Sequence, residues 1–77
     1  MFNTATRLVV EPGRVYRDKN SSRIITLAHV ISIMPDGLGI PHVHFLLDMR
    51  LPSGTLVREE KRILALESFA NNYCDED

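Results

Sequence analysis

A single cysteine, Cys74, stands in this chain of 77 residues. One thiol excludes an intrachain disulfide. Small secreted domains rely on such staples, so the composition points to a reducing interior. No apolar run approaches the roughly 20 residues that a membrane-spanning helix requires. The opening Met1-Phe2-Asn3-Thr4-Ala5-Thr6-Arg7 also lacks the basic region and apolar stretch of a secretory signal. A cytoplasmic location without membrane attachment is the expectation. An excess of positive charge is lacking too: 9 Lys and Arg face 10 Asp and Glu, for a formal net charge of −1. Proteins that hold nucleic acid by its phosphates usually carry a basic excess, so any such surface here has to be local. There are no internal repeats, low-complexity tracts or linkers.

What is present suits one small folded domain over residues 1–77. Apolar residues make up 44% and charged residues 25%, ordinary for a globular chain. At this length the core is thin. The last residues, 74–77, are Cys74 followed by three acids and read as a frayed acidic tail.

Along the chain, Arg7-Leu8-Val9-Val10-Glu11 is a short β-like run closed by the Pro12-Gly13 turn pair. Val15-Tyr16-Arg17 follows, then a polar turn. Residues 23–34 are rich in Ile and Val, the composition of a strand. Parity groups Ile25, Leu27, His29, Ile31 and Ile33 on one face, which makes His29 a core or near-core histidine. A loop with two glycines between Pro35 and Pro41 leads to the clearest alternation in the chain. Val43, Phe45, Leu47 and Met49 share one face, opposite His42, His44, Leu46, Asp48 and Arg50, the pattern of a half-buried strand. Leu51-Pro52-Ser53-Gly54 is a tight turn, and a hairpin partner runs from Thr55 to about residue 62. Ile63, Leu66, Phe69, Ala70 and Tyr73 then form an apolar stripe at helical spacing, so a short helix is expected over residues 65–73. The predicted fold is mainly β: a small, partly open barrel of about four to five antiparallel strands with a short C-terminal helix. The alternative is an α+β roll, a three-stranded sheet with a longer C-terminal helix.

Candidate chemistry is sparse. His42 and His44, two apart on a strand, project to one side as a metal site needs, and Asp48 shares that face. Gly37, His42, His44, Asp48 and Gly54 resemble the first metal motif of the cupins. The acid there is Asp instead of Glu, the first glycine is spaced too closely, and no second motif supplies another histidine. The simpler reading is a polar outer face with no cofactor. Cys74 is followed directly by acids that disfavour a thiolate. The serines lie in turns, and no glycine-rich phosphate loop occurs. With no catalytic constellation, the chain is not expected to be an enzyme.

Two binding readings remain. Arg14, Arg17, Lys19 and Arg23 surround the first hairpin with Tyr16 among them. That could let one aromatic ring stack on a base while the cations hold phosphates. For protein binding, loop and terminal residues that a tiny core leaves exposed are the candidate anchors: Phe2, Tyr16, Leu38, Ile40 and Tyr73. A strand edge would also accept a partner's strand or a second copy, so monomer and homodimer are both open.

The segments Pro12-Gly13-Arg14-Val15-Tyr16-Arg17-Asp18 and Arg62 to Tyr73, flanking a β-rich middle, resemble small proteins of bacteriophages and other mobile elements. Those proteins open with a G-x-x-Y-R-D-like turn and strand, and they end in an F-x-x-x-Y or F-x-x-x-F mini-helix. The resemblance implies a small Src-homology-3-like barrel and no agreed activity. It also implies a non-catalytic accessory or inhibitor acting on a host protein, including host defence complexes.

Overall fold

The computed structural model describes residues 8–76. Its elements run β1 (Val15–Asp18), β2 (Ile25–Pro35), β3 (Pro41–Arg50), β4 (Leu56–Ala65), α1 (Leu66–Asn72) and β5 (Tyr73–Asp75). All strand pairs are antiparallel, in one sheet of order β4-β3-β2-β1-β5. The fold is mainly β with one short C-terminal helix. The sheet stays open, with β4 and β5 as its two edges.

The roll with a long terminal helix does not form. Residues 56–65 include good helix formers, yet register pairing from Arg50↔Leu56 to His42↔Ala65 holds them extended. Backbone pairing to a long neighbour overrides helix propensity, which is a weak prior. The helix keeps only 7 residues, and Tyr73 (φ −121, ψ 157) turns the chain back to extended backbone. Tyr73, Cys74 and Asp75 pair with Asp18, Arg17 and Tyr16. Cys74 and Asp75, expected in a frayed tail, are thus part of the sheet. At the other end, Leu8 to Glu11 form no strand, and the remainder of that expected run, Arg7, lies outside the described residues.

Strand β3 follows its alternation: Val43, Phe45 and Leu47 are buried, and Met49 packs at the core margin. Strand β2 does not follow its parity. Its core residues are Ala28 and Val30, and a bulge between Val30 and Ser32 leaves Ile31 without a partner on β3. One extra residue swaps the faces of everything beyond it. Ile33, opposite Val43, therefore packs against the core, whereas Ile31 is 55% exposed. Before the bulge, Leu27 and His29 lie on the outer face opposite Asp48 and Leu46. His29 is thus half-exposed on the outer face, not a core histidine.

The core is largely aromatic. Phe69 of α1 stacks on Tyr73, with centroids 4.4 Å apart and planes at 9°. It also meets the rings of Tyr16 and Phe45 edge-on at 5.6 and 5.1 Å. Such pairs contribute about 0.5–1.5 kcal/mol each beyond the area they bury. Tyr16 is fully buried, yet its hydroxyl is satisfied. It donates to the Val9 carbonyl (2.9 Å) and accepts from the Glu11 amide (2.8 Å), which ties the segment before β1 to the core. Of the apolar stripe predicted for the helix, Leu66, Phe69 and Ala70 lie in α1, whereas Ile63 belongs to β4 and is exposed and Tyr73 opens β5.

Candidate functional site

The β2–β3 hairpin ends in a loop between Pro35 and Pro41, a residue pair that closes the ladder. Asp36 organises it. One carboxylate oxygen accepts from the Leu38 amide (2.8 Å) and the Ile40 amide (3.0 Å). The Asp36 amide donates to the Ile40 carbonyl (2.9 Å), and the Gly39 amide donates to the Asp36 carbonyl (3.0 Å). Gly39 sits at φ +79, a left-handed conformation that glycine adopts without steric cost. The Ile40 and Leu38 amides hold the Asp36 carboxyl below its ordinary value, with the nearby His42 ring assisting. Aspartate suits this position because its short side chain bonds to the backbone two residues on. The loop presents Leu38, 86% exposed, and Ile40, 48% exposed, with Met34 exposed on the adjoining strand. These apolar groups stand on a backbone fixed by four local hydrogen bonds, so presenting them costs little further ordering.

The other anchors proposed from the sequence lie elsewhere. Tyr16 and Tyr73 are buried in the aromatic cluster and offer no surface to a partner. Phe2 lies outside the described residues. Burial of Tyr16 likewise removes the stacking ring from the basic hairpin. Arg14 is engaged by Glu11 (2.9 Å) and Asp75 (3.3 Å), which leaves Arg17, Lys19 and Arg23 exposed around the β1–β2 turn.

His42, His44 and Asp48 share the outer face of β3 but do not converge. The ring Nδ1–H of His42 donates to the Ile40 carbonyl (2.9 Å), directing that ring to the hairpin loop. Asp48, four residues beyond His44, is buried and bound by Arg50 through Nε (2.9 Å) and Nη2 (3.3 Å). His29 approaches the same carboxylate at 3.6 Å. Asp48 lies opposite Leu27 in the ladder, and His29, expected on the core face, reaches its carboxylate from the same outer face. Among the described residues, no three His, Cys, Asp or Glu side chains are grouped to hold a metal ion.

Strand β4, whose Glu59-Glu60 pair reads in the sequence as a solvated edge, is a further exposed surface. It is the outermost strand, and its first half, Leu56 to Glu59, is exposed throughout. The signal was present: Val57-Arg58-Glu59-Glu60-Lys61-Arg62 has no apolar face, as befits an edge strand buried on neither side. Among the described residues, no helix is long and apolar enough to cross a membrane. Compared with models of protein families, with curated proteins and with solved structures, the chain matches none.

Proposed function

We propose that the chain is a non-catalytic protein-binding accessory, of the kind that blocks or redirects a host protein, and that Leu38 and Ile40 anchor its partner. The reading rests on the hairpin tip, where an almost fully exposed leucine stands on a loop braced by Asp36. Exposed apolar side chains on a preorganised backbone are what interface hot spots require. The resemblance to small phage and mobile-element proteins supports the accessory role and supplies the expectation of a bacterial, cytoplasmic host.

The test is capture from bacterial lysate on tagged protein, with and without nuclease, beside a variant carrying Leu38→Asp and Ile40→Asp. The expected result is a stoichiometric protein that survives nuclease and is lost with the variant. Each apolar side chain of this size withdrawn from water contributes about 1.5–3 kcal/mol. Losing both should therefore weaken binding on the order of a hundredfold or more. Recovery of nucleic acid alone would move the function to Arg17, Lys19 and Arg23. A partner held equally by the variant would remove the hairpin tip from the argument.

A further inference from the structure

All three histidines of the chain stand on the outer face of β2 and β3, and two of them are engaged. His42 donates to the Ile40 carbonyl and lies 3.8 Å from Asp36, and His29 lies 3.6 Å from Asp48. His44 has no such carboxylate partner among the described residues. It borders instead a shallow hollow of about 520 Å³, whose lining includes Ile31, Ser32, Lys61 and Ile63.

The bulge in β2 builds one wall. Ser32 is the ladder partner of His44 and shares its face, while the extra residue, Ile31, lines the same hollow. A regular strand turns one of two neighbouring side chains away; the bulge aims both to one side. The opposite wall comes from β4. Ile63 is the ladder partner of His44 and Lys61 that of Leu46, so both continue the outer face, and Ile63 is 60% exposed. Two strand spacings set the backbones that carry Ile31 and Ile63 roughly 9.5 Å apart, with β3 between them. That gap admits one aliphatic side chain between the two isoleucines, over His44. The polar groups around it are of one kind. Lys61 makes no ion pair among the described residues. His44 offers a ring nitrogen, Ser32 a hydroxyl, and no carboxylate is among the lining groups. The row beyond Lys61 toward the β3–β4 turn holds Glu59 and Asp48, and Asp48 is taken by Arg50. Donors around a cation, between two aliphatic walls, complement a carboxylate that carries an aliphatic side chain. Sites for free small molecules enclose most of the ligand. This hollow is open to one side and covers a single face of its occupant. A chain end has its own protein to cover the other face. Past Ile63 lies the free edge of β4, where a chain leaves without obstruction.

We infer that the hollow holds the C-terminal residue of a protein partner, with an aliphatic side chain such as that of leucine between Ile31 and Ile63. Its carboxylate is received by Lys61, His44 and Ser32. The inference rests on reading the chain as a protein-binding part, and it is separate from the Asp36 loop.

Titration of the isotope-labelled full chain with the peptide acetyl-Gly-Ser-Gly-Leu, its carboxylate free, tests this by amide chemical shifts. Shifts that saturate at Ile31, Ser32, His44, Lys61 and Ile63 are expected. Amidating the peptide's C-terminus removes the charge and should weaken binding about tenfold. Ending the peptide in glycine in place of leucine should weaken it by about tenfold too. Lys61→Gln should weaken it about threefold, because an exposed ion pair contributes modestly. Lys61 is exposed, so the variant's spectrum should otherwise remain that of the folded chain. The variant with Leu38→Asp and Ile40→Asp should bind the peptide unchanged, which tells failure at the hollow from failure at the hairpin tip. No saturation by about 10 mM peptide would overturn the proposal. So would equal binding of the amidated peptide, an unaltered affinity in Lys61→Gln, or binding of free isocaproate as tight as that of the peptide.

Discussion

The two ends of this sheet are built on opposite principles. Where β1, β5 and α1 meet the middle of β2 and β3, four aromatic rings interlock and the Tyr16 hydroxyl is satisfied. At the other side, β4 is held almost wholly by its ladder to β3, with charged side chains on both faces. The difference follows from supply. The described residues hold one 7-residue helix to lay on a five-stranded sheet, and its one buried side chain, Phe69, packs against Tyr16, Phe45 and Tyr73, away from the first half of β4. The remainder of the sheet must satisfy itself with backbone hydrogen bonds and solvated charge. Stability is thus concentrated at one end, and surface free for recognition at the other.

Substitutions should separate the two regions by size of effect. The largest is expected for Phe69→Ala, which removes the ring that touches Tyr16, Phe45 and Tyr73. Cavity formation at such a site costs about 3–5 kcal/mol, enough to abolish a cooperative urea transition in a domain of modest stability. Tyr16→Phe keeps the ring but leaves the Val9 carbonyl and the Glu11 amide without their partner. A loss of about 1–3 kcal/mol is expected, with faster hydrogen exchange at Glu11. Ile63→Ser, on the exposed β4 edge, should change monomer stability by no more than about 0.5 kcal/mol. A Phe69-sized loss there would erase the comparison.

Titration sharpens the same contrast. Burial pushes the Tyr73 phenol above its ordinary value, and the nearby negative charge of Asp18 adds to the shift. The folded state therefore retains that proton longer than the unfolded chain. The associated stability is present below the unfolded value near pH 10 and is lost as pH rises through the folded one. Phenolate absorbance should show one tyrosine ionising together with global unfolding. The smallest effect belongs to the loop. Asp36 titrates below its ordinary value, so the bracing of Leu38 and Ile40 holds above the unfolded carboxylate range and fails as pH falls through the folded value. Amide exchange at Leu38 and Ile40 should quicken on acidification, or in Asp36→Ala, while the global transition hardly moves.

The sequence disclosed these regions unevenly. Strand β3 was legible because its period of two separates apolar from polar between Val43 and Asp48, with Leu46 the one exception. The open, mainly β fold and the short helix followed from the turn pairs and the Leu66–Phe69–Tyr73 spacing. Strand β2 was misread beyond its composition, since Ile and Val occupy both its faces and nothing in Val30-Ile31-Ser32 announces a bulge. The bulge sends Ile33 to the core and Ile31 to solvent, while burial of Ala28 and Val30 puts His29 on the outer face beside Asp48. Of the candidate anchors, Leu38 and Ile40 were visible as apolar residues among turn formers. Tyr16 and Tyr73 stand near a turn and the C-terminus but belong to the core, since Tyr16 is flanked by Val15 and Arg17 in a strand and Tyr73 follows Phe69 by one helical turn. Strand β5 was too short to carry any pattern.

The pairing of β5 with β1 has a consequence for how the chain acquires its structure during synthesis. Arg17 faces Cys74, and the Cys74 thiol lies 3.5 Å from the Arg17 carbonyl, across 57 positions of sequence. The ring that seals Tyr16 also arrives late, with Phe69. While a ribosome is still making residues 66–75, the β2–β3–β4 meander can zip from its local turns, but its apolar face stays open to water. Such a nascent chain exposes its interior until the last segment emerges, and closure of the core then becomes a single late event.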